Sequence, residues 1–313
     1  VFQSAPGYMD AEYYTATGVQ LASGNGFREP FIWNYLNNPQ GLPAPSHLYW
    51  MPLASIMAAL GGLIGGINFI WMRVLFVLTA ALLVPAAVAI SRRWVSEKRF
   101  TWLAGVCAAF SGVYWIYLTL PETFGLYMLA GAALIGLVGG VEWLRIGKFK
   151  SFVLGISIGI LTGLMHLTRA DGILWLAGGL IWIAVVLVFD QRRLETSNIL
   201  RIVIIFAAIV GGYFLIMGAW YLRNINLFGT LMPPGNSRVL WLTDYNQTYN
   251  LTLTQLNYEN WTHSGAGVIL LSRWEALKLN LANFLVGQGG IVFLPLTAAG
   301  IWKLRKDNRI RFM

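Results

Sequence analysis

Seven apolar runs, at about 67–90, 101–119, 124–141, 151–167, 172–189, 202–222 and 284–302, constrain this chain more than any other feature. Each approaches the roughly 20 residues that a helix needs to cross bilayer hydrocarbon. Hydrocarbon offers no partner to backbone polar groups, and the runs are too long for barrel strands, so the spans must be helices. The fold class read from the residues is therefore an all-α polytopic membrane protein, integral to its membrane. The single cysteine, Cys107, lies inside an apolar run, which leaves neither a disulfide framework nor a thiolate metal cluster.

A net charge of +9 raises the question of nucleic acid, and its distribution answers it. Residues 91–99, 141–150, 190–201 and 303–313 hold 15 of the 22 Lys and Arg but only 5 of the 13 Asp and Glu. Such asymmetry between loops is the positive-inside signature, so these four segments are read as cytoplasmic. The partner implied is a lipid bilayer, and no nucleic acid is expected. Alternating the seven spans puts residues 1–66 outside, six spans within 67–222, a second external region at 223–283, a seventh span at 284–302 and a cytoplasmic basic tail at 303–313.

One run stays ambiguous at this level. Residues 48–67 are long enough to cross, yet Pro43, Pro45 and Pro52 before it and Gly61, Gly62, Gly65 and Gly66 at its end also suit a helix lying in the membrane interface. The chain begins at Val1 without a basic leader or apolar signal stretch, so a first span is expected ahead of it, and the basic end suggests more spans after Met313. In the first external region a helix over 11–22 is predicted, started by an Asp10 cap and stopped at 23–26. In the second, residues 267–285 read as an amphipathic interfacial helix.

Acids are scarce on the outer face, which draws attention to GYMDAEYY, residues 7–14, with Asp10 and Glu12 among tyrosines that include Tyr13 and Tyr14. Asp10 reads either as a helix cap or as a general base at the membrane surface. Glu122, after Pro121 in the short turn between two spans, reads either as a first-turn acid favoured by the helix dipole or as a partner for Asp10 at the same level. Two such carboxylates would suit activation of an acceptor hydroxyl or, less well, a divalent cation. Arg73, Arg169 and Arg223 come from separate spans at that same level. They read as snorkelling residues or as binders of one shared phosphate, since guanidinium takes phosphate oxygens bidentately. His166 is a further candidate, and Arg169 and Asp171 are close enough in sequence to pair with each other.

These stretches together resemble a known family. MDAEYYTATGVQLASGNGF (9–27), PSHLYWMPL (45–53), a span opened by Trp71-Met72-Arg73, LPETF (120–124), LTRADGILWL (167–176) and WYLRNINLFGTLMPP (220–234) are similar to polyprenyl-phosphate-sugar-dependent glycosyltransferases of the GT-C superfamily. The protein O-mannosyltransferase and lipid A aminoarabinose transferase group is the nearest in pattern. That resemblance implies two juxtamembrane helices in 1–66, Asp10 as the catalytic base, Glu122 as the acidic residue of the second external loop and Arg73 as a donor-phosphate ligand. It adds His47 and Tyr49 as candidate site residues, and it implies a missing first span. It further implies a polyprenyl-phosphate-linked sugar as donor, a protein, lipopolysaccharide or other lipid as acceptor, and an extracytoplasmic site in a bacterial or archaeal plasma membrane. Two departures stand out. Many relatives have adjacent Asp-Glu where Ala11 here separates Asp10 from Glu12, and the aminoarabinose transferases have lysine where this chain has Ala44 before Pro45.

A transporter or lipid flippase is a second function class, and a structural or assembly membrane subunit is a third. Ion coupling uses ionisable residues at mid-membrane depth. The seven runs carry essentially none away from their ends, which favours the enzyme.

Overall fold

The computed structural model describes residues 3–35, 38–110, 112–138, 147–190, 196–252, 254–287 and 290–305. The basic stretches 141–146, 191–195 and 306–313 therefore lie outside the described residues. The described chain is almost wholly helical. Its helices are α1 (Met9–Ala22), α2 (Leu53–Gly65), α3 (Phe69–Ser91), α4 (Lys98–Ala109), α5 (Thr123–Val138), α6 (Lys148–Thr168), α7 (Ile173–Asp190) and α8 (Thr196–Phe228). Three short helices, α9 (Pro234–Arg238), α10 (Gln247–Asn250) and α11 (Tyr258–His263), lead to α12 (Ala266–Ala282) and α13 (Gly290–Leu304). Among the described residues the strands are β1 (Arg28–Glu29) and β2 (Ala44–Pro45), antiparallel with Glu29 opposite Ala44.

Among the described residues three helices are long and apolar enough to cross a membrane, Phe69–Ser91, Lys148–Thr168 and Ile202–Phe228. Ala266–Gly287 and Gly290–Lys303 reach that length only as a pair bent by 77°. Among the described residues the seven apolar runs thus yield fewer full-length helices than expected. The run at 101–119 shows why. Its helix stops at Ala109 and the chain resumes as a 3-10 helix at Gly112–Tyr117. Hydropathy sums over such a break, whereas a glycine costs a helix locally.

The ambiguous run at 48–67 forms α2, entered from Pro52 and ended by Gly66 at φ 110°. Its 13 residues extend about 20 Å, short of bilayer hydrocarbon. It packs beneath α1 and against α3. Gly18 of α1 lies against Ala58 and Met72, and Thr17 Oγ1 is 2.5 Å from Ser55 Oγ. Tyr13, Tyr14, Ala54, Ala58, Met72 and Phe76 close this core.

The bundle proper is organised on α6 and α8. Gly155, Gly159 and Gly163 recur every fourth residue and present a bare stripe to α8. A methyl at Gly155 would meet Ala208 and the Ile205 carbonyl, and one at Gly163 would meet Ile216 and the Tyr213 carbonyl. Small residues let helices approach closely where no hydrophobic force between them exists in lipid. Leu134 of α5, Ile158 and Met165 of α6, Ile183 of α7, and Ile205 and Ile209 of α8 complete the core around this seam.

The helix expected amphipathic over 267–285 is α12, but none of its residues is buried. Its exposed apolar side chains are not confined to one face, since Val268 and Leu279 lie across the helix from Trp274 and Leu277.

Candidate functional site

α1 begins earlier than the sequence suggests. Its cap position is Tyr8, with an extended backbone at φ −160° and ψ 161°, and no side chain caps it. Asp10 is therefore a first-turn residue and not the cap, which corrects the expected start at 11. The helix dipole favours both Asp10 and Glu12 there. The helix turns them apart, because residues two positions apart do not share a face. Glu12 is exposed, while Asp10 is half-buried and lines a cavity of about 530 Å3.

That cavity gathers residues distant in sequence. Asp10 and Tyr14 come from α1, Tyr49 from the approach to α2, Glu122 from the turn before α5, and Arg169 and Asp171 from the connection between α6 and α7. Met232 and Asn236, from the turn-rich segment after α8, form another wall.

Glu122 is 3% exposed and fully engaged. Its Oε1 accepts the Thr123 amide at 2.6 Å and the Thr123 hydroxyl at 2.8 Å, and its Oε2 accepts the Tyr8 hydroxyl at 2.6 Å. The Asp10 carboxylate, by contrast, has no hydrogen bond or ion pair among the described residues. Burial, and secondarily the charge of Glu122, push it up to about 6. A carboxylate held there is partly protonated near neutrality, which suits proton exchange with a hydroxyl. The same burial and the same neighbour keep Tyr8 well above its ordinary range, so that it remains a donor.

Of the three arginines expected to share a phosphate, Arg169 alone lines the cavity. Its Nε and Nη2 bind Asp171 Oδ1 and Oδ2 at 3.0 and 3.3 Å, and its guanidinium lies 5.6 Å from the Tyr127 ring centroid. Arg73 instead donates to the Gln3 carbonyl at 3.4 Å and to Thr119 Oγ1 at 3.2 Å. Arg223 donates to the Ser46 carbonyl at 2.7 Å and packs over Trp220 and Phe27. Both clamp the loops that frame the cavity, so the expected common phosphate cluster is not assembled.

The remaining candidates divide. Tyr14 and Tyr49 line the cavity. Tyr13 points elsewhere, donating to Glu29 Oε2 at 2.9 Å and accepting the His47 amide at 2.8 Å. His47 is buried with its Nδ1 3.3 Å from the Trp50 carbonyl, its backbone in the left-handed region at φ 60°. Burial lowers it to about 3, so it is neutral at any physiological pH. His166 is buried in the bundle, its Nδ1 2.5 Å from the Tyr213 hydroxyl, which in turn lies 2.6 Å from that of Tyr221. His47 and His166 are packing residues here. No three His, Cys, Asp or Glu among the described residues are grouped to hold a metal ion. Both oxygens of Glu122 are engaged in hydrogen bonds, so Asp10 and Glu122 together make a poor site for the divalent cation considered above.

Glu29 escaped the sequence reading. It is 8% exposed and held up to about 7 by burial. An acid in a chain with only 13 was the available signal.

No family model, curated protein or solved structure matches the chain.

Proposed function

We propose that this is a membrane glycosyltransferase of the GT-C type, moving a sugar from a polyprenyl-phosphate donor to an acceptor hydroxyl on the extracytoplasmic face. The observation that carries the reading is the convergence of Asp10, Glu122 and Arg169 on one cavity from three distant parts of the chain.

Asp10 takes the proton of the acceptor hydroxyl as its oxygen forms a bond to the anomeric carbon. The bond between that carbon and the phosphate oxygen breaks, its electrons stay on the departing polyprenyl phosphate, and the anomeric configuration inverts. Phosphate is already a weak base, so no general acid is required. Arg169 supplies positive charge near the leaving group through Nη1, the terminal nitrogen that Asp171 does not engage. Glu122 is a positioning residue, which raises the basicity of Asp10 through its charge.

A neighbouring groove of about 470 Å3 supports a lipid-linked donor. It shares Phe124, Arg169 and Asp171 with the first cavity, and Tyr114, Met128 and Phe293 make much of the rest apolar or aromatic. A charged head and a hydrocarbon tail would find matching surroundings side by side. Coupled transport receives less support, because the three full-length apolar helices contain no Asp or Glu.

The test is transfer from radiolabelled polyprenyl-phosphate sugars in membranes carrying the protein, compared with Asp10→Asn. Loss of transfer with the fold intact is expected. Full activity in the variant would refute Asp10 as base. A cysteine at position 10 should react with an impermeant reagent in intact cells, and protection until lysis would put the site on the wrong face.

A further inference from the structure

A second cavity, of about 460 Å3, is not used by the chemistry above. Its walls include Tyr13 from α1, Glu29 from β1, Trp33, Asn34 and Gln40 from the connection to β2, and Tyr49, which also lines the transfer cavity. The two cavities thus meet across one aromatic ring.

Two of its polar groups, Glu29 and the Trp33 indole, are ones that a protein does not ordinarily leave as they are. Glu29 is 8% exposed, spends Oε2 on the Tyr13 hydroxyl and has no ion-pair partner among the described residues. The cation whose charge reaches it, Arg223, gives Nη2 to the Ser46 carbonyl and Nη1 to Asn224. Trp33 has a buried indole N–H with no partner, and its ring centroid is 5.0 Å from that of Tyr13. Buried donors and acceptors are nearly always satisfied, so such groups around an empty volume point to a ligand that satisfies them. The ligand must both donate and accept, since a buried carboxyl and an indole N–H border the cavity. It must also offer apolar faces to Trp33 and Tyr49. A sugar ring does all of this, with hydroxyls on its rim and C–H groups on its faces. An ammonium ion would use Glu29 and the rings but leave the Trp33 donor idle.

We infer that this cavity is a saccharide-binding subsite, holding a neutral sugar unit of the acceptor beside the transfer cavity. That the sugar belongs to an acceptor rests on the transferase reading; that the cavity binds sugar does not.

The test uses the purified full chain in a detergent without a sugar headgroup, with maltotriose, mannotriose and chitotriose as probes and choline as a control. Saturation-transfer NMR titrations should show at least one trisaccharide binding to the wild type. Trp33→Ala and Glu29→Gln should each weaken that binding about tenfold or more, the size of one lost stacking or charged hydrogen-bonding contact. Asp10→Asn should keep it while losing transfer, which separates failure of this inference from failure of the catalytic one. If Trp33→Ala does not fold, Trp33→Phe and Glu29→Gln decide. The inference is overturned if none of the three trisaccharides binds, if binding is unchanged in folded Trp33 and Glu29 variants, or if choline displaces the sugar.

Discussion

The Tyr8 hydroxyl and the Glu122 carboxylate, 114 positions apart in sequence, are joined by a 2.6 Å hydrogen bond at the mouth of α1. With the bonds from Arg73 to Gln3 and Thr119, it fastens the front of the chain to the turn that opens α5. Tyr8→Phe keeps the ring and removes the donor, leaving Oε2 of a buried acid without a partner. The expected cost is about 1–3 kcal/mol, read as a lower thermal midpoint in detergent. An unchanged midpoint would mean that water reaches Glu122 freely.

The pH dependence follows from Asp10. A base acts only when deprotonated, so transfer should rise with pH through about 6 and level off above it. Burial is the larger cause and Glu122 the lesser, so Glu122→Gln should move this limb to lower pH without restoring an ordinary carboxylate. Rate–pH profiles of the two proteins check this. The stability effect has the opposite sign from a salt-bridged acid. The folded state holds the proton more tightly than the unfolded chain, so the contribution is full below 3.8 and is lost as pH rises to about 6.

Asp10→Asn should therefore lower transfer by about 100-fold or more while leaving the thermal midpoint at neutral pH unchanged or higher. A residue whose work was to start the helix would behave otherwise, because its loss would destabilise α1. Measuring midpoint and transfer on the same preparation separates the two roles.

The seam between α6 and α8 predicts a contrast between glycines. A side chain at Gly159 would run into the Ile209 carbonyl and the Tyr213 amide. Gly159→Leu should cost about 1–3 kcal/mol or more, as overpacking does. Gly178 of α7 has open space around it, and Gly178→Ala should cost nothing and gain up to about 1 kcal/mol from helix propensity. Thermal midpoints of both variants give the comparison.

Much of this arrangement is legible in the residues, and the limits are physical. Charge asymmetry and run length assign a level along the membrane normal, which is how Asp10, Glu122 and Arg169 can be expected at one end of the bundle. They say nothing about azimuth around it. Arg73 and Arg223 share that level with Arg169 but turn to carbonyls of their own surroundings. Hydropathy likewise counts residues without asking whether one helix contains them, so the interruption after Ala109 is invisible to it. The four-residue spacing of Gly155, Gly159 and Gly163 is plain in the sequence, but its partner on α8 is a matter of three-dimensional neighbourhood. Glu29 is hidden for a related reason, since its burial depends on Tyr13 and on a strand pairing of two residues.

The bare stripe on α6 has a mechanical corollary. Glycine has no rotamers to freeze or to rearrange, so at Gly159 the two helices meet backbone to backbone, against the Ile209 carbonyl and the Tyr213 amide, where repacking cannot relieve a change of spacing. α6 ends at Thr168, immediately before Arg169, and α8 carries Arg223, which holds the loop at Ser46. The stripe thus acts as a ruler between the arginine that lines the transfer cavity and the arginine that anchors the framing loop, fixing their spacing with the stiffness of two peptide chains.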